Sequence, residues 1–365
     1  MTRKPKTNSE QFPHNRLLQR IKRLWPLCLE LPTLSEAKTY YRRRQPSVLP
    51  DAVSVNKKHT NVEHYQFRIS LVLPAYHEKG EHLLKKLSTA LETARHPIEV
   101  EVVVVNAGDC SNLDKILSLT DEDHGWGRVS IYSFGGGGGR GPCLNYGATL
   151  STGRIITFCH SDTTLPRDWD KSIVTTLEHN GMRDDELSVR SNSCSFSFGI
   201  DTSEEGLSMP FDLPLTTSRP YYPPGIKAAV FGANVRAKLF SLPYGDQAMS
   251  MHACVFDFLG GFPDQCMMED FDFVSLLRRR ARLFNSGKCR EKVTIIGGAP
   301  ALCSPRRWQK FGVFYVTCMN TYFVHLYAGM RSADELYKLY YSQDPPERKM
   351  RESPWEVELS KILDK

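Results

Sequence analysis

Between Ile69 and Cys159, four apolar runs alternate with stretches of helical spacing, and no other feature of the sequence restricts the fold as strongly. Ile69-Ser-Leu-Val-Leu-Pro-Ala75 reads as a buried strand, and Leu83, Leu84, Leu87, Ala90, Leu91 and Ala94 then recur along one helical face. Val100–Val105 predicts a second strand, Asn112–Leu119 a short helix, Val129–Phe134 a third strand, Pro142–Leu150 a helix and Ile155–Cys159 a fourth strand. This rhythm implies βαβ crossovers and a mostly parallel, Rossmann-like sheet flanked by helices, an α/β fold. Ligands of such sheets collect beyond the carboxyl ends of the strands. Attention therefore falls on Tyr76 and Glu78, Asn106 and Asp109, the Gly135–Gly141 loop with Arg140, and His160 and Asp162.

A helix is expected over Asp168–His179. The polar stretch Arg183–Pro224, rich in Ser and Pro, reads as an insertion or long loop. Regularity returns with a helix over Ile226–Phe240, a strand near Met249–His252, helices over Cys254–Leu259 and Asp270–Arg280, and a last core strand at Val293–Ile296. Two helical stretches follow, Phe314–Ala328 and Ala333–Tyr341. The first sixty or so residues show no sustained period and carry Pro5, Pro13, Pro26, Pro32, Pro46 and Pro50, with one short helix expected over Arg16–Leu24.

A chain of 365 residues can bury the core of one large α/β domain with additions. No run of about eighteen apolar residues predicts a membrane span; Phe311–Met330 comes closest, is interrupted by Asn320 and His325, and reads as a packed or interfacial helix. The net charge of +6 is concentrated in the leader, where Arg3, Lys4, Lys6, Arg16, Arg20, Lys22 and Arg23 face only Glu10. Such a leader serves as a targeting segment, as a membrane-surface or nucleic-acid arm, or, most commonly, as a plain tail. No nucleic-acid partner is expected. The ten cysteines include no C-x-x-C pair, which argues against a zinc ribbon and for a reducing compartment. A cytoplasmic location follows, or an organellar one if the leader is a targeting segment.

Several residues could carry chemistry, and each has an ordinary structural alternative. Asp162 would project from a strand end, where it could ligate a hard divalent cation or cap the following segment. Glu269 and Asp270 open a helix, where a carboxylate either caps or accepts a proton from a hydroxyl. The Gly135–Gly139 loop with Arg140 could bring amides and a guanidinium to phosphate oxygens. It also satisfies G-x-G-x-x-G through Gly136, Gly138 and Gly141, which keeps an NAD(P)-binding oxidoreductase as an alternative, although that unit usually comes first in a domain. Asp246 and Gln247, in Tyr244-Gly-Asp-Gln247, could face a sugar or acceptor or form a polar turn. Arg307 and Trp308, with Arg306, could clamp a diphosphate or form a solvated basic face beside a packed indole. His160 reads as a supporting residue, because magnesium and manganese prefer oxygen.

Taken in order, these pieces resemble the family-two nucleotide-sugar glycosyltransferases of GT-A architecture. The resemblance is carried by Leu71-Val-Leu-Pro-Ala-Tyr-His-Glu78, Asn106-Ala-Gly-Asp109, Gly139-Arg-Gly141 with Asn145-Tyr-Gly147, and His160-Ser161-Asp162-Thr163. Downstream it continues through Tyr244–Gln247, Gly260-Gly-Phe-Pro263, Met268-Glu-Asp270 and Ser304-Pro-Arg-Arg-Trp308. It implies that Pro74, Tyr76 and Glu78 line the nucleotide site, that Asp162 ends a metal-binding motif for Mn2+ or Mg2+, and that Asp270 is the catalytic base. Arg140 and Asn145 would lie over the nucleotide or its diphosphate, with Asn106, Asp109 and Ser161 nearby. The implied donor is a UDP-linked sugar, the transfer inverting, and the acceptor unidentified. The implied organisation is an N-terminal extension over 1–65, a catalytic domain over 66–302 with a nucleotide-binding half (66–180) and an acceptor half (181–302), and a helical extension over 303–365. A catalytically silent sugar-nucleotide binder is a further alternative. The leader and the aromatic stretch Phe314–Tyr327 suggest membrane-surface contact.

Overall fold

The computed structural model describes residues 65–76, 80–108, 127–135, 139–178, 193–202, 224–263, 265–284, 293–328, 332–342 and 344–345. The leader, the expected helices at Arg16–Leu24 and Asn112–Leu119, and the site candidates Glu78 and Asp109 lie outside the described residues.

In chain order the elements are β1 (Phe67–Ala75), α1 (Gly80–Thr93), β2 (Val100–Asn106), β3 (Val129–Ser133), α2 (Arg140–Leu150), β4 (Gly153–Phe158), β5 (Thr163–Thr164) and α3 (Trp169–Glu178). They continue with β6 (Ser193–Ile200), α4 (Ile226–Phe240), β7 (Met249–His252), α5 (Ala253–Leu259), α6 (Glu269–Phe284), β8 (Thr294–Cys303), α7 (Arg306–Phe311), α8 (Val313–Ala328) and α9 (Ala333–Tyr341). The strands form one sheet in the order β3-β2-β1-β4-β7-β6-β8-β5. β1 runs parallel to β2 and β4, and β2 parallel to β3. β7 is antiparallel to both β4 and β6, while β8 is parallel to β6 and antiparallel to β5. The outcome is the expected α/β architecture, a mostly parallel sheet flanked by helices.

The period-two pattern of β1 explains why the sheet is covered on both faces. Ile69, Leu71 and Leu73 join Leu83, Leu87 and Leu91 of α1 and Trp169 and Ile173 of α3 in one core. Val72 joins Val103, Ile156, Phe158, Phe256 and Phe273 in the other. Trp169 is fully buried because its indole N–H donates to the Ala90 carbonyl at 2.8 Å, so the ring packs without an unmet donor.

Two sequence expectations are corrected. The stretch Arg183–Pro224 contains the buried strand β6, whose Ser-Cys-Ser-Phe-Ser-Phe alternation places small polar side chains where a strand usually shows branched apolar ones. The last core strand is also longer than Val293–Ile296. It runs as β8 from Thr294 to Cys303, with an irregularity in pairing opposite Phe196 and Phe198 where Gly297 and Gly298 stand. One charged residue interrupts the valines of β2. Glu101 is fully buried there, accepting from Ser70 Oγ, the Thr152 amide and hydroxyl, and the Arg128 guanidinium. This pins together the amino-terminal ends of β1, β2 and β4.

Candidate active site

The carboxyl ends of β1, β2 and β4 open into a cleft of about 790 Å³. β1 contributes Pro74, the position just after β1 contributes Tyr76, the segment after β4 contributes His160, Ser161 and Asp162, and the first turn of α6 contributes Glu269 and Asp270. Arg140 enters from the start of α2, Asp246 from the turn Gly245–Gln247, and Arg306, Arg307 and Trp308 from α7. Chain segments more than a hundred residues apart thus gather where the sheet geometry predicts a ligand.

Arg140 is the central cation. Its Nε donates to Glu269 Oε1, its Nη1 donates to His160 Nε2 at 2.8 Å, and its Nη2 lies 3.6 Å from Asp270 Oδ2. Burial works against the guanidinium charge, but Glu269 and Asp270 more than offset it and hold its pKa above the ordinary value. Burial pushes the Glu269 carboxyl up, while Arg140 pulls it back. Burial, with Arg140 beside it, drives the His160 pKa well below 6.5, so the imidazole stays neutral and its Nε2 accepts. His160 thus supports Arg140, in keeping with its sequence reading.

The Asp270 carboxylate is oriented by two backbone amides. Gly245 N donates to Oδ2 at 3.0 Å and Phe271 N to Oδ1 at 2.7 Å. Its side chain keeps 17% exposure, on a surface that lines the cleft. Asp162 also opens into the cleft, with Oδ2 3.5 Å from Arg306 Nη2. Asp246 differs from both: its Oδ1 is buried with no hydrogen-bond partner, and burial pushes its pKa up to about 6 against the pull of Arg236.

Three expected contacts face elsewhere. Asn145 is buried, and its amide clasps the Phe262 backbone, Nδ2 donating to the carbonyl at 2.8 Å and Oδ1 accepting from the N–H at 2.8 Å. Gln247 is fully buried, its Nε2 donating to the Phe196 carbonyl at 2.9 Å and its Oε1 accepting from Tyr244 N at 3.1 Å. Asn106 is buried at the end of β2, where Oδ1 accepts from Gly108 N at 3.1 Å. All three hold backbone close to the cleft without lining it.

The glycines flanking Arg140 are explained by close packing. A Cβ on Gly139, where φ is +95°, would lie 2.7 Å from Cys266 Cα, and one on Gly141 would lie 2.7 Å from the Pro263 carbonyl oxygen. The loop before α6 presses directly on these two positions. Gly141, the third glycine of the dinucleotide pattern, is therefore accounted for without a cofactor, while Gly136 and Gly138 lie outside the described residues.

Sequence reasoning did not anticipate the wall opposite the strand ends. It consists of Asn320, Phe323 and Val324 of α8 with Tyr337, Tyr340 and Tyr341 of α9. Arg307 stacks over the Tyr340 ring at 4.5 Å, and Trp308 lies 6.0 Å from Phe198. The spacing of Tyr337, Tyr340 and Tyr341, three and four residues apart on one helical face, was the available signal.

An open, mostly parallel sheet with arginines and carboxylates gathered in a cleft at its strand ends defines an α/β protein. Residues 70–195 of this chain match the family model Glycosyl transferase family 2. Among solved structures it is similar to S. aureus TarS 1–349, at 16% identity and TM-score 0.41, over 67% of this chain and 63% of that one. It is also similar to the mannosyltransferase PcManGT from Pyrobaculum calidifontis in complex with GDP-Man and Mn2+, at 13% identity and TM-score 0.43, over 80% and 68% of the two chains. A third similarity is to S. aureus TarS 1–349 in complex with UDP-GlcNAc, at 13% identity and TM-score 0.42, over 65% and 58%. The chain thus spans less than two thirds of the TarS 1–349 chains in the first and third of these structures. No curated protein matches in sequence.

Proposed function

We propose that this protein transfers a sugar from a nucleotide-diphosphate donor, UDP-linked in the simplest case, to an acceptor hydroxyl with inversion at the anomeric carbon. The observation that carries this reading is the presence of Asp162 and Asp270 in one cleft, each beside an arginine, at the strand ends of a chain whose residues 70–195 match glycosyl transferase family 2. Such a displacement needs a proton acceptor for the incoming hydroxyl and positive charge for the departing diphosphate. Asp270 and the arginines are suited to these two tasks.

Asp270 takes the acceptor proton as the acceptor oxygen bonds to the anomeric carbon. The bond from that carbon to the diphosphate breaks, and its electron pair leaves with the diphosphate. The two amides that fix the carboxylate keep it aimed while charge moves, which favours reaction over reorientation. Arg306 and Arg307 face the same cleft and receive the leaving group's charge. Pro74 and the exposed ring of Tyr76 offer a flat apolar surface for the nucleotide base.

A divalent ion would enter this cleft in company with the donor. Among the described residues no three His, Cys, Asp or Glu side chains converge to hold a metal ion. Asp162 nonetheless opens into the cleft, and Asp246 Oδ1 is a hard oxygen with no hydrogen-bond partner. Asp162 would hold Mn2+ or Mg2+ with diphosphate oxygens completing the shell, and the bound ion would neutralise charge on the departing diphosphate. In this reading 66–180 serves the nucleotide, 181–302 serves the acceptor, and the helices beyond 302 close the remaining wall.

Replacing Asp270 by Asn tests the assignment at nearly constant shape. Transfer should fall by about 10² to 10⁴-fold with donor affinity retained, because only the proton acceptor is lost. Normal turnover in that variant would remove Asp270 from the mechanism.

A further inference from the structure

The outer faces of α4 and α8 carry large apolar side chains that no described residue covers. On α4, Ile226, Val230 and Ala233 turn toward Phe198 and Ile200 of β6, which leaves Phe231 72% and Leu239 69% exposed. On α8, Val316 and Phe323 are buried seven residues apart. The opposite stripe of Phe314, Thr317, Cys318, Thr321, Tyr322 and His325 is exposed, with Phe314 at 83%. Gly225 at the head of α4 lies against Val313 at the head of α8, so the two stripes begin side by side. A single exposed ring is ordinary, but exposed rings gathered on adjoining faces of two helices mark an interaction surface.

The charge pattern selects the partner. From Gly225 to Gly245, and again from Ser304 to Ala328, the sequence has no Asp or Glu. Lys227 and Lys238 on α4 and Lys310 on α7 are exposed. Lys227, Phe231 and Lys238 stand at i, i+4 and i+11, along one side of the helix. Aromatic rings flanked by lysines and free of carboxylates are the composition of a helix surface lying at a lipid interface, where rings enter the acyl boundary and lysines reach phosphates. We propose that the outward face of α4 and α8 docks on the surface of an anionic lipid bilayer.

This orientation has a consequence for the cleft. The inner side of α8 lines the cleft through Asn320, Phe323 and Val324, so the bilayer would lie about one helix diameter, roughly 10 Å, from the site. A lipid-borne acceptor would then reach the cleft over the edge of α8. That last step rests on the transferase reading, whereas the docking does not.

The test is flotation of the full chain with vesicles of phosphatidylcholine alone and of phosphatidylcholine mixed with phosphatidylglycerol. It compares the wild type, Phe231→Asp, Phe314→Asp and a leader variant carrying Arg16→Gln, Arg20→Gln, Lys22→Gln and Arg23→Gln. The wild type should float only with the anionic vesicles, and each Phe change should weaken partitioning by roughly tenfold, the size expected from withdrawing one ring from lipid. The leader variant should retain most of the binding. The proposal is overturned if the wild type ignores anionic vesicles, or if the leader variant loses binding while both Phe variants keep it. It is equally overturned if the wild type forms a concentration-dependent dimer that Phe314→Asp dissociates and that does not float, since a second copy then covers the face. Donor binding in the same samples separates these results from failure of the transferase reading, because neither Phe231 nor Phe314 lines the cleft.

Discussion

The Gly245 amide donates to Asp270 Oδ2 at 3.0 Å, so the turn that carries Asp246 also aims the carboxylate at the head of α6. Gly245 has little room for change. A Cβ there would lie 2.6 Å from His160 Nε2 and 3.5 Å from Asp270 Oδ2. Gly245→Ala should therefore shift His160 and the carboxylate together. Turnover should fall by up to about a hundredfold, the cost of a misplacement on the order of 1 Å, with little change in donor affinity. Steady-state kinetics beside calorimetric donor binding checks this; equal losses in both would point to general damage.

Asp246 should make stability depend on pH. Its pKa is 3.8 in an unperturbed chain and about 6 in the folded protein. Below 3.8 both states hold the proton. Between 3.8 and about 6 the folded state keeps a proton that the unfolded chain releases, so stability falls as pH rises, and above about 6 the penalty is complete. Asp246→Asn removes the ionisation and should stabilise the protein relative to wild type at neutral pH by up to about 3 kcal/mol, but not near pH 3.8. Denaturant melts of both proteins across this range supply the measurement. A difference independent of pH would contradict the assignment.

Glu269 should be a stability residue as much as a site residue. Glu269→Ala would leave the Arg140 charge without its closest carboxylate, beside a neutral His160. Because Arg140 keeps 36% side-chain exposure and Asp270 stays 3.6 Å away, the loss should fall below that of a fully buried pair, at about 1 to 2 kcal/mol. Thermal unfolding reads this directly, and an unchanged melting temperature would show that water replaces the carboxylate at no cost.

Asn145 should behave as a clasp. Removing its amide by Asn145→Ala leaves the Phe262 N–H and carbonyl unpaired in a buried place, which costs about 1 to 3 kcal/mol for each such group. The variant should lose stability and keep its donor affinity. Donor affinity lost at unchanged stability would instead favour the nucleotide contact that the family resemblance implies.

What the sequence revealed follows from the range of each interaction. β1, α1, β2, β3 and α2 were legible because their apolar period is local, and Asp162 and Asp270 drew attention because strand ends and helix starts can be counted along the chain. β6 was missed because its inward positions include Ser193 and Ser195, whose polarity imitates a loop. Asn145 was read as facing a ligand because its partner, Phe262, is 117 residues away and no pattern connects them. The tyrosines of α9 were seen as a helix, but only the placement of α8 and α9 across the cleft from the strand ends turns them into a wall.

Whether this cleft takes a nucleotide-diphosphate sugar is decided by titrating the purified full chain, in a calorimeter, with UDP-, GDP-, CMP- and dTDP-sugars, NAD and NADP, each with manganese, magnesium or chelator. One nucleotide-diphosphate sugar should bind, more tightly with the metal and less tightly in Asp162→Ala. Binding of NAD or NADP irrespective of metal, or no binding of any sugar nucleotide, would contradict the transferase reading.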